Sequence, residues 1–212
     1  MSYNIIDLSH TLQENMIVYP DSPNPVLDPV ATIESNGYNE LRITCSTHTG
    51  THIDAPSHIL EKGKNLDELN IDTFYGNALV IDCSHQKSIE EACIEDSLTD
   101  YSYFHFLLFY TGWDRYWNTP EYFRNYPVLS SEAAGFISRL HLKGVGIDAP
   151  SYDPVISTDL PNHHILLKSG IILIENLCGL QRIPSGEFIF SCFPLKIDRS
   201  DASPVRAVAI IA

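Results

Sequence analysis

Cys45-Ser46-Thr47-His48-Thr49-Gly50-Thr51-His52-Ile53-Asp54-Ala55-Pro56-Ser57-His58 places three histidines and one aspartate within eleven positions. His48, His52, Asp54 and His58 share one parity, so in extended chain their polar heads project from a single face. Imidazole and carboxylate together suit Zn²⁺, Mn²⁺ or Fe²⁺. Four such groups aimed at one volume repel and desolvate each other unless a cation holds them. The segment therefore predicts a metal-dependent enzyme.

The i, i+4 spacing of His48 and His52 would also suit one face of a helix. The run Thr44 to Thr51 is rich in β-branched residues and contains glycine, which is poor helical material. Strand and loop is the better reading. A straight strand nevertheless fails, because residues 48 to 54 would span roughly 20 Å at about 3.3 Å per residue. Donors to one ion must converge to about 2.0–2.2 Å from it. The chain must curl, and Gly50 is where that is easiest. Pro56 then stops the ladder and turns His58 back. A single histidine on an apolar strand is more often a satisfied core residue; the combination in one bent segment is what points to metal.

Outward from this segment, short apolar runs read as buried strands: 77–83, 104–110, 145–148, 170–174, 187–193 and 205–211. Half-buried strands are expected near 4–8 and 39–47. Helices are fewer. Ser88 and Glu91 form a capping-box pattern. Ser130 can cap a helix through Leu142, ended by Gly144. Further helices are expected at 119–125, with Pro120 in its first turn, and at 162–168. The Pro-rich stretch 20–29 reads as a shaped loop. The sum is an α/β chain, a mixed sheet with peripheral helices. With 212 residues and no repeat or linker, it reads as one domain spanning 1–212.

Hydrophobic residues at 44% and charged ones at 19% describe an ordinary globular protein. Acidic residues outnumber basic ones 27 to 13, for a formal charge of −14. That balance repels phosphate backbones and anionic lipid, so neither nucleic acid nor a membrane surface is an expected partner; a small-molecule substrate is. No apolar run reaches the length of a membrane span, and the start lacks a basic region followed by an apolar core. Five cysteines, odd in number and without a C-x-x-C pair, read as reduced thiols. The expected compartment is the cytoplasm.

His48-Thr49-Gly50-Thr51-His52-Ile53-Asp54-Ala55-Pro56-Ser57-His58 matches the H-x-G-T-H-x-D-x-P-x-H signature of the cyclase-like metal hydrolases, which include bacterial kynurenine formamidases and isatin hydrolases. Ile6-Asp7-Leu8-Ser9, Thr111-Gly112-Trp113, Gly146 to Pro154, His163-His164, the run 170–175 and Ala202 to Arg206 also resemble family segments. The resemblance implies a swivelling β/β/α domain acting as a homo-oligomer, a dimer or tetramer. It implies His48, His52 and Asp54 as ligands of a first ion, with Asp54 bridging to a second held by His163 and Glu175. Those two stand twelve residues apart, as the pattern requires, and His164 is the neighbouring imidazole. It assigns His58 to proton transfer. Glu175 also stands out without the resemblance, since it ends the apolar run Ile171 to Ile174; a carboxylate there needs a partner.

A bound divalent ion, zinc favoured and manganese the alternative, lowers the pKa of its water from 15.7 to roughly 7. His58 titrates near neutrality and can relay the proton to a departing amine. The resemblance thus implies an arylformamidase-like hydrolase releasing formate from N-formylkynurenine in tryptophan catabolism. Cyclic-amide hydrolysis of the isatin kind, or a cyclase or dehydratase acting on another carbonyl compound, is the second reading. A non-catalytic metal-stabilised binding protein is the third, disfavoured because a structural site needs no spare imidazole. Tyr19 and Trp113 are expected to line an aromatic substrate pocket, with Tyr38 and Trp117 as further candidates. Formamidase-type members commonly carry tryptophan in the loop where this chain has Ile17 to Pro23, and often arginine where it has Tyr110. Asp148 is read as holding a proline turn through its backbone in preference to positioning the metal cluster.

Overall fold

Phe106-Leu107-Leu108-Phe109 is apolar at every position, and all four side chains are buried. Such a run, rich in aromatic residues and short, suits a strand covered on both faces. The computed structural model describes residues 3–99, 101 and 103–211 and places this strand near the middle of a nine-stranded sheet. In chain order the strands are β1 (Asn4–Asp7), β2 (Val26–Ala31), β3 (Glu40–Thr44), β4 (His52–Asp54), β5 (Tyr75–Asp82), β6 (Phe106–Tyr110), β7 (Gly144–Ile147), β8 (Ile172–Glu175), β9 (Phe188–Ser191), β10 (Ala202–Pro204) and β11 (Val208–Ile211). The helices are α1 (Ile33–Asn36), α2 (Glu91–Leu98), α3 (Ser131–Ile137) and α4 (Pro161–Lys168). The sheet order is β1-β11-β9-β5-β6-β7-β8-β4-β10. Neighbours from β5 to β8 run parallel, and the flanking pairs are antiparallel.

Period-two alternation divides the core. Leu79, Ile81, Leu107, Phe109, Val145, Ile147 and Leu173 meet Ile94, Ala133, Ile137 and Leu166 of the helices. Phe106, Leu108, Ile53, Ile172 and Ile174 fill the opposite face with Leu177 and Phe190. On β7 the second face carries only Gly144 and Gly146. A Cβ on Gly146 would lie 2.6 Å from side-chain atoms of both Leu108 and Leu177, so neighbouring leucines occupy the space that the strand leaves.

The fold is the mixed sheet with peripheral helices expected, and four local expectations are corrected. Ser88 caps nothing: its Oγ donates to the Val128 carbonyl, and Ile89 bridges Leu129 in strand fashion. Helix α2 starts at Glu91 with no side-chain cap. Ser130 does cap α3, accepting from Ala133 N at 3.2 Å. That helix stops at Ile137, well short of Leu142; His141 has φ +54, and Gly144 belongs to β7. Residues 119–125 form turns, bounded by positive φ at Asn118 and Asn125. Part of the Pro-rich loop is β2, which pairs with β3 in a separate two-stranded ribbon; Pro29 is tolerated there beside an irregularity.

Asp148 follows β7 and holds the chain leaving β6. Its fully buried carboxylate accepts from Thr111 N (2.8 Å), Thr111 Oγ1 (2.5 Å) and Gly112 N (2.8 Å). Burial pushes its pKa up to about 7 against those three hydrogen bonds. This exceeds the roughly 3.9 of an unfolded aspartate, so folding favours the protonated form. The stability contributed by this group is full at acid pH and declines as pH rises from about 4 through about 7. Asp148→Ala strands three buried donors and should cost on the order of 3 kcal/mol in denaturant unfolding. The share of the wild-type pH slope in that window due to Asp148 should vanish with it.

Candidate metal centre

His52 and Asp54 lie two apart on β4 and point to the helix-covered face of the sheet, while Ile53 between them enters the opposite core. Strand β4 is flanked by β8 and β10, whose register sets His52 across from Glu175. Gly50 supplies the curl with φ +67, and a Cβ there would meet Met16 Cε at 3.1 Å. The curl returns His48 to Asp54, with Nδ1 2.9 Å from Oδ1. Pro56–His58 forms a single 3-10 turn that directs His58 back beside His48, with ring centroids 4.2 Å apart. His163 arrives on the first turn of α4, its Nε2 3.2 Å from Glu175 Oε1 and 4.0 Å from Asp54 Oδ2. His52 Nε2 stands 3.3 Å from Asp54 Oδ1 and 3.5 Å from Glu175 Oε2.

The structure thus brings together His48, His52, Asp54, His163 and Glu175, with His58 alongside. His163 is buried whereas His164 is exposed, so His163 is the imidazole of that pair facing the site. Donor atoms of His52, Asp54 and Glu175 lie within 4.8 Å of one another, as do those of His48, Asp54 and His58. Asp54 belongs to both triples.

Burial alone would lower the pKa of His48, but Asp54 and Asp201 outweigh it and hold it up to about 10. His163 is likewise held up to about 10, its hydrogen bonds to Asp153 and Glu175 overcoming burial. Asp54 is kept well below the usual carboxylate range by His52 and His48, although it is wholly buried. His58 moves the other way, lowered chiefly by burial. His48 and His163 thus answer a concentration of buried negative charge, which a cation would neutralise in place of their protons.

The donor set fits such a cation. His52 Nε2, both oxygens of Asp54 and Glu175 Oε1 are buried and lack aligned hydrogen-bond partners, despite their short approaches to one another. Outer partners turn the rings the right way: His52 Nδ1 donates to Gly50 O (2.9 Å) and His163 Nδ1 to Asp153 Oδ2 (2.7 Å), leaving Nε2 of each toward the cluster. Asp153 also accepts from the backbone of Asn162 and His163, so one carboxylate anchors α4 and orients its histidine. Asn176, in the left-handed region at φ +57, accepts from Tyr122 and donates to Gly50 O, which clamps the curl. Sequence reasoning missed Asp153, Asn176 and Asp201 as site residues. Asp153 and Asn176 lie close to motif positions, yet none of the three has ligand-like spacing that separates it from surface acids and amides.

A cleft of about 350 Å³ opens over the cluster, a volume suited to a small molecule. Tyr19, Trp117 and Phe123 form its aromatic wall. Trp113 does not line it, which corrects the expectation. Its indole donates to Tyr122 O at 2.8 Å and packs against the helix-side core. Four residues on, Trp117 takes the wall position, stacked on His10 at 3.8 Å. Tyr38 is 56% exposed, away from the cleft. A divalent cation at a hundredfold excess over Kd should stabilise the protein by about 2.7 kcal/mol, about 8 °C in Tm. In a thermal-shift titration, Asp54→Asn should remove most of that gain, and a variant stabilised as fully as wild type would show that the ion binds elsewhere.

Residues 6–154 match the family model described as a putative cyclase. The kynurenine formamidase of Geobacillus thermodenitrificans is 37% identical over 204 residues, covering 95% of each chain. That of Bacillus cereus is 34% identical over 209 residues, covering 96% of this chain and 95% of its own. A solved protein titled a potential metal-dependent hydrolase with cyclase activity aligns at a TM-score of 0.83 with 27% identity, over 100% of this chain and 99% of that one. Isatin hydrolase A of Labrenzia aggregata shares the fold at a TM-score of 0.87 with 24% identity, covering 99% and 94%. By the span of that match and by relatives more than a third identical along its length, the chain belongs to the cyclase family.

Proposed function

We propose that the protein is a metal-dependent hydrolase of the arylformamidase type, releasing formate from an N-formyl aromatic amine, with N-formylkynurenine as the substrate its kynurenine formamidase relatives suggest. The observation that carries this reading is the set of buried, unpaired donors of His52, Asp54 and Glu175 beside His58, at the floor of an aromatic-walled cleft. His48, His52 and Asp54 would hold one cation, and Asp54, His163 and Glu175 a second. The three imidazoles and two carboxylates favour zinc, with manganese next. When bound, the cation supplies Lewis acidity toward the carbonyl oxygen and toward water.

The chain's own residues do the rest. Tyr19, Trp117 and Phe123 give an aryl group flat apolar contact and exclude water from that side. His58, partly buried at the cleft floor and lowered in pKa by burial, is suited to accept a proton from the attacking water. It then delivers that proton to the amine nitrogen as the C–N bond breaks. The order is chemically required, because an unprotonated anilide nitrogen is a poor leaving group. Among the described residues no helix is long and apolar enough to cross a membrane. The five cysteines are free, in keeping with a reducing compartment such as the cytoplasm. Leu41 and Ile43, exposed on the β2–β3 ribbon, favour assembly into a homo-oligomer.

In an assay of the metal-loaded protein on N-formylkynurenine and simple aryl formamides, formate should appear, cease with chelator and return with zinc. Ring opening of isatin without formate release from any formamide would favour the cyclic-amide reading instead. His58→Ala should lower kcat by about 10²- to 10⁴-fold while bound metal stays at the wild-type level. Parallel loss of metal would make His58 a ligand.

A further inference from the structure

Asp201 belongs to neither cation triple, yet its carboxylate touches three groups of the histidine segment. Oδ1 accepts from Thr47 Oγ1 at 3.2 Å. Oδ2 accepts from His48 Nε2 at 2.9 Å and from His58 Nδ1 at 3.3 Å. The backbone is fixed as well: Asp201 O accepts from Ala55 N at 2.8 Å, just before β10 pairs with β4. The carboxylate is therefore tied to the strand that carries Asp54 and does not hang from a free loop.

We propose that Asp201 is a positioning residue for the hydrolytic reaction, one carboxylate oxygen that sets the tautomers of both His48 and His58. A neutral imidazole has one donor and one acceptor nitrogen, and the hydrogen bond at one decides the state of the other. Donating Nε2–H to Asp201 leaves His48 with its Nδ1 lone pair, and Nδ1 is the nitrogen beside Asp54 Oδ1. Donating Nδ1–H leaves the His58 Nε2 lone pair to take the proton of the attacking water and pass it to the amine. While His58 carries that proton, the adjacent carboxylate stabilises the imidazolium, as in other Asp–His pairs. Without Asp201, a ring flip would turn a protonated nitrogen toward the substrate. This inference rests on the hydrolytic reading.

The side chain is 41% exposed, so a small carboxylate from solution can occupy its place. Asp201→Ala and Asp201→Asn, compared with wild type as zinc-loaded full chains, test the assignment by kcat, KM, bound zinc and the ¹⁵N signature of the His58 ring. Asp201→Ala should lose about 10²-fold in kcat with KM within about twofold and full zinc content. Added acetate should restore part of that loss, and should not do so for His58→Ala. The Nδ1-protonated signature of His58 should be present in wild type and lost in the alanine variant. Should Asp201→Ala fail to fold, the near-isosteric Asp201→Asn carries the same measurements, with a smaller loss because its amide oxygen still accepts one bond. A kcat within threefold of wild type would overturn the assignment. So would zinc loss with unchanged kcat per bound ion, which would confine Asp201 to supporting His48. A wild-type protein inactive on every amide overturns the hydrolytic reading instead, while the His58 ring signature still decides whether Asp201 sets its tautomer.

Discussion

Asp54 is a carboxylate with no access to solvent, and the rest of the molecule is arranged around that fact. An isolated buried anion is too costly to persist, so positive or polarisable partners must reach it from every side. They come from the curl before it (His48), from its own strand (His52) and from α4 (His163). Delivering them requires β4 to sit between β8 and β10 in one register, because a one-residue slip would turn His52 and Asp54 into the apolar face now occupied by Ile53. The sheet order and the site are the same constraint seen at two scales.

Around the donor cluster runs an outer layer of hydrogen-bond acceptors that fixes its histidine rings. Gly50 O, Asp153 and Asp201 each accept from a histidine nitrogen, and none of these contacts duplicates another. Two of the three acceptors are carboxylates, so the site is more acidic than its cation-facing groups alone imply. The strain is local: Asn176 adopts φ +57 without being glycine, and it does so where its amide braces the Gly50 curl. A left-handed asparagine is tolerable, and here Tyr122 and Gly50 hold it on both sides.

Where local sequence signals and tertiary contacts competed, tertiary contacts prevailed. The Ser88 capping pattern yields to a strand-like bridge between Ile89 and Leu129, since that bridge buries Ile89 completely. The helix expected from Ser130 through Leu142 ends at Ile137, and Leu142 fills the core from an irregular segment. Trp113 and Trp117 show the same limit within the site. Both are aromatic and four residues apart, and only the short 3-10 turn between them decides that one enters the core and the other faces the cleft.

What the sequence by itself determined is local and chemical: the clustering of His48, His52, Asp54 and His58 as candidate cation-binding groups, the need for a bend at Gly50 and a turn at Pro56, and the apolar runs that must become covered strands. These are legible because each depends on residue type and spacing within a few positions, where backbone geometry is predictable. Only the tertiary structure decided how distant residues reach this cluster. It set Glu175 across from His52, turned His163 and not His164 toward the cluster, and brought Asp153, Asn176 and Asp201 into contact with it. Those choices depend on strand register, helix placement and the single conformation in which all buried charge is answered at once. No pairwise spacing along the chain encodes that conformation.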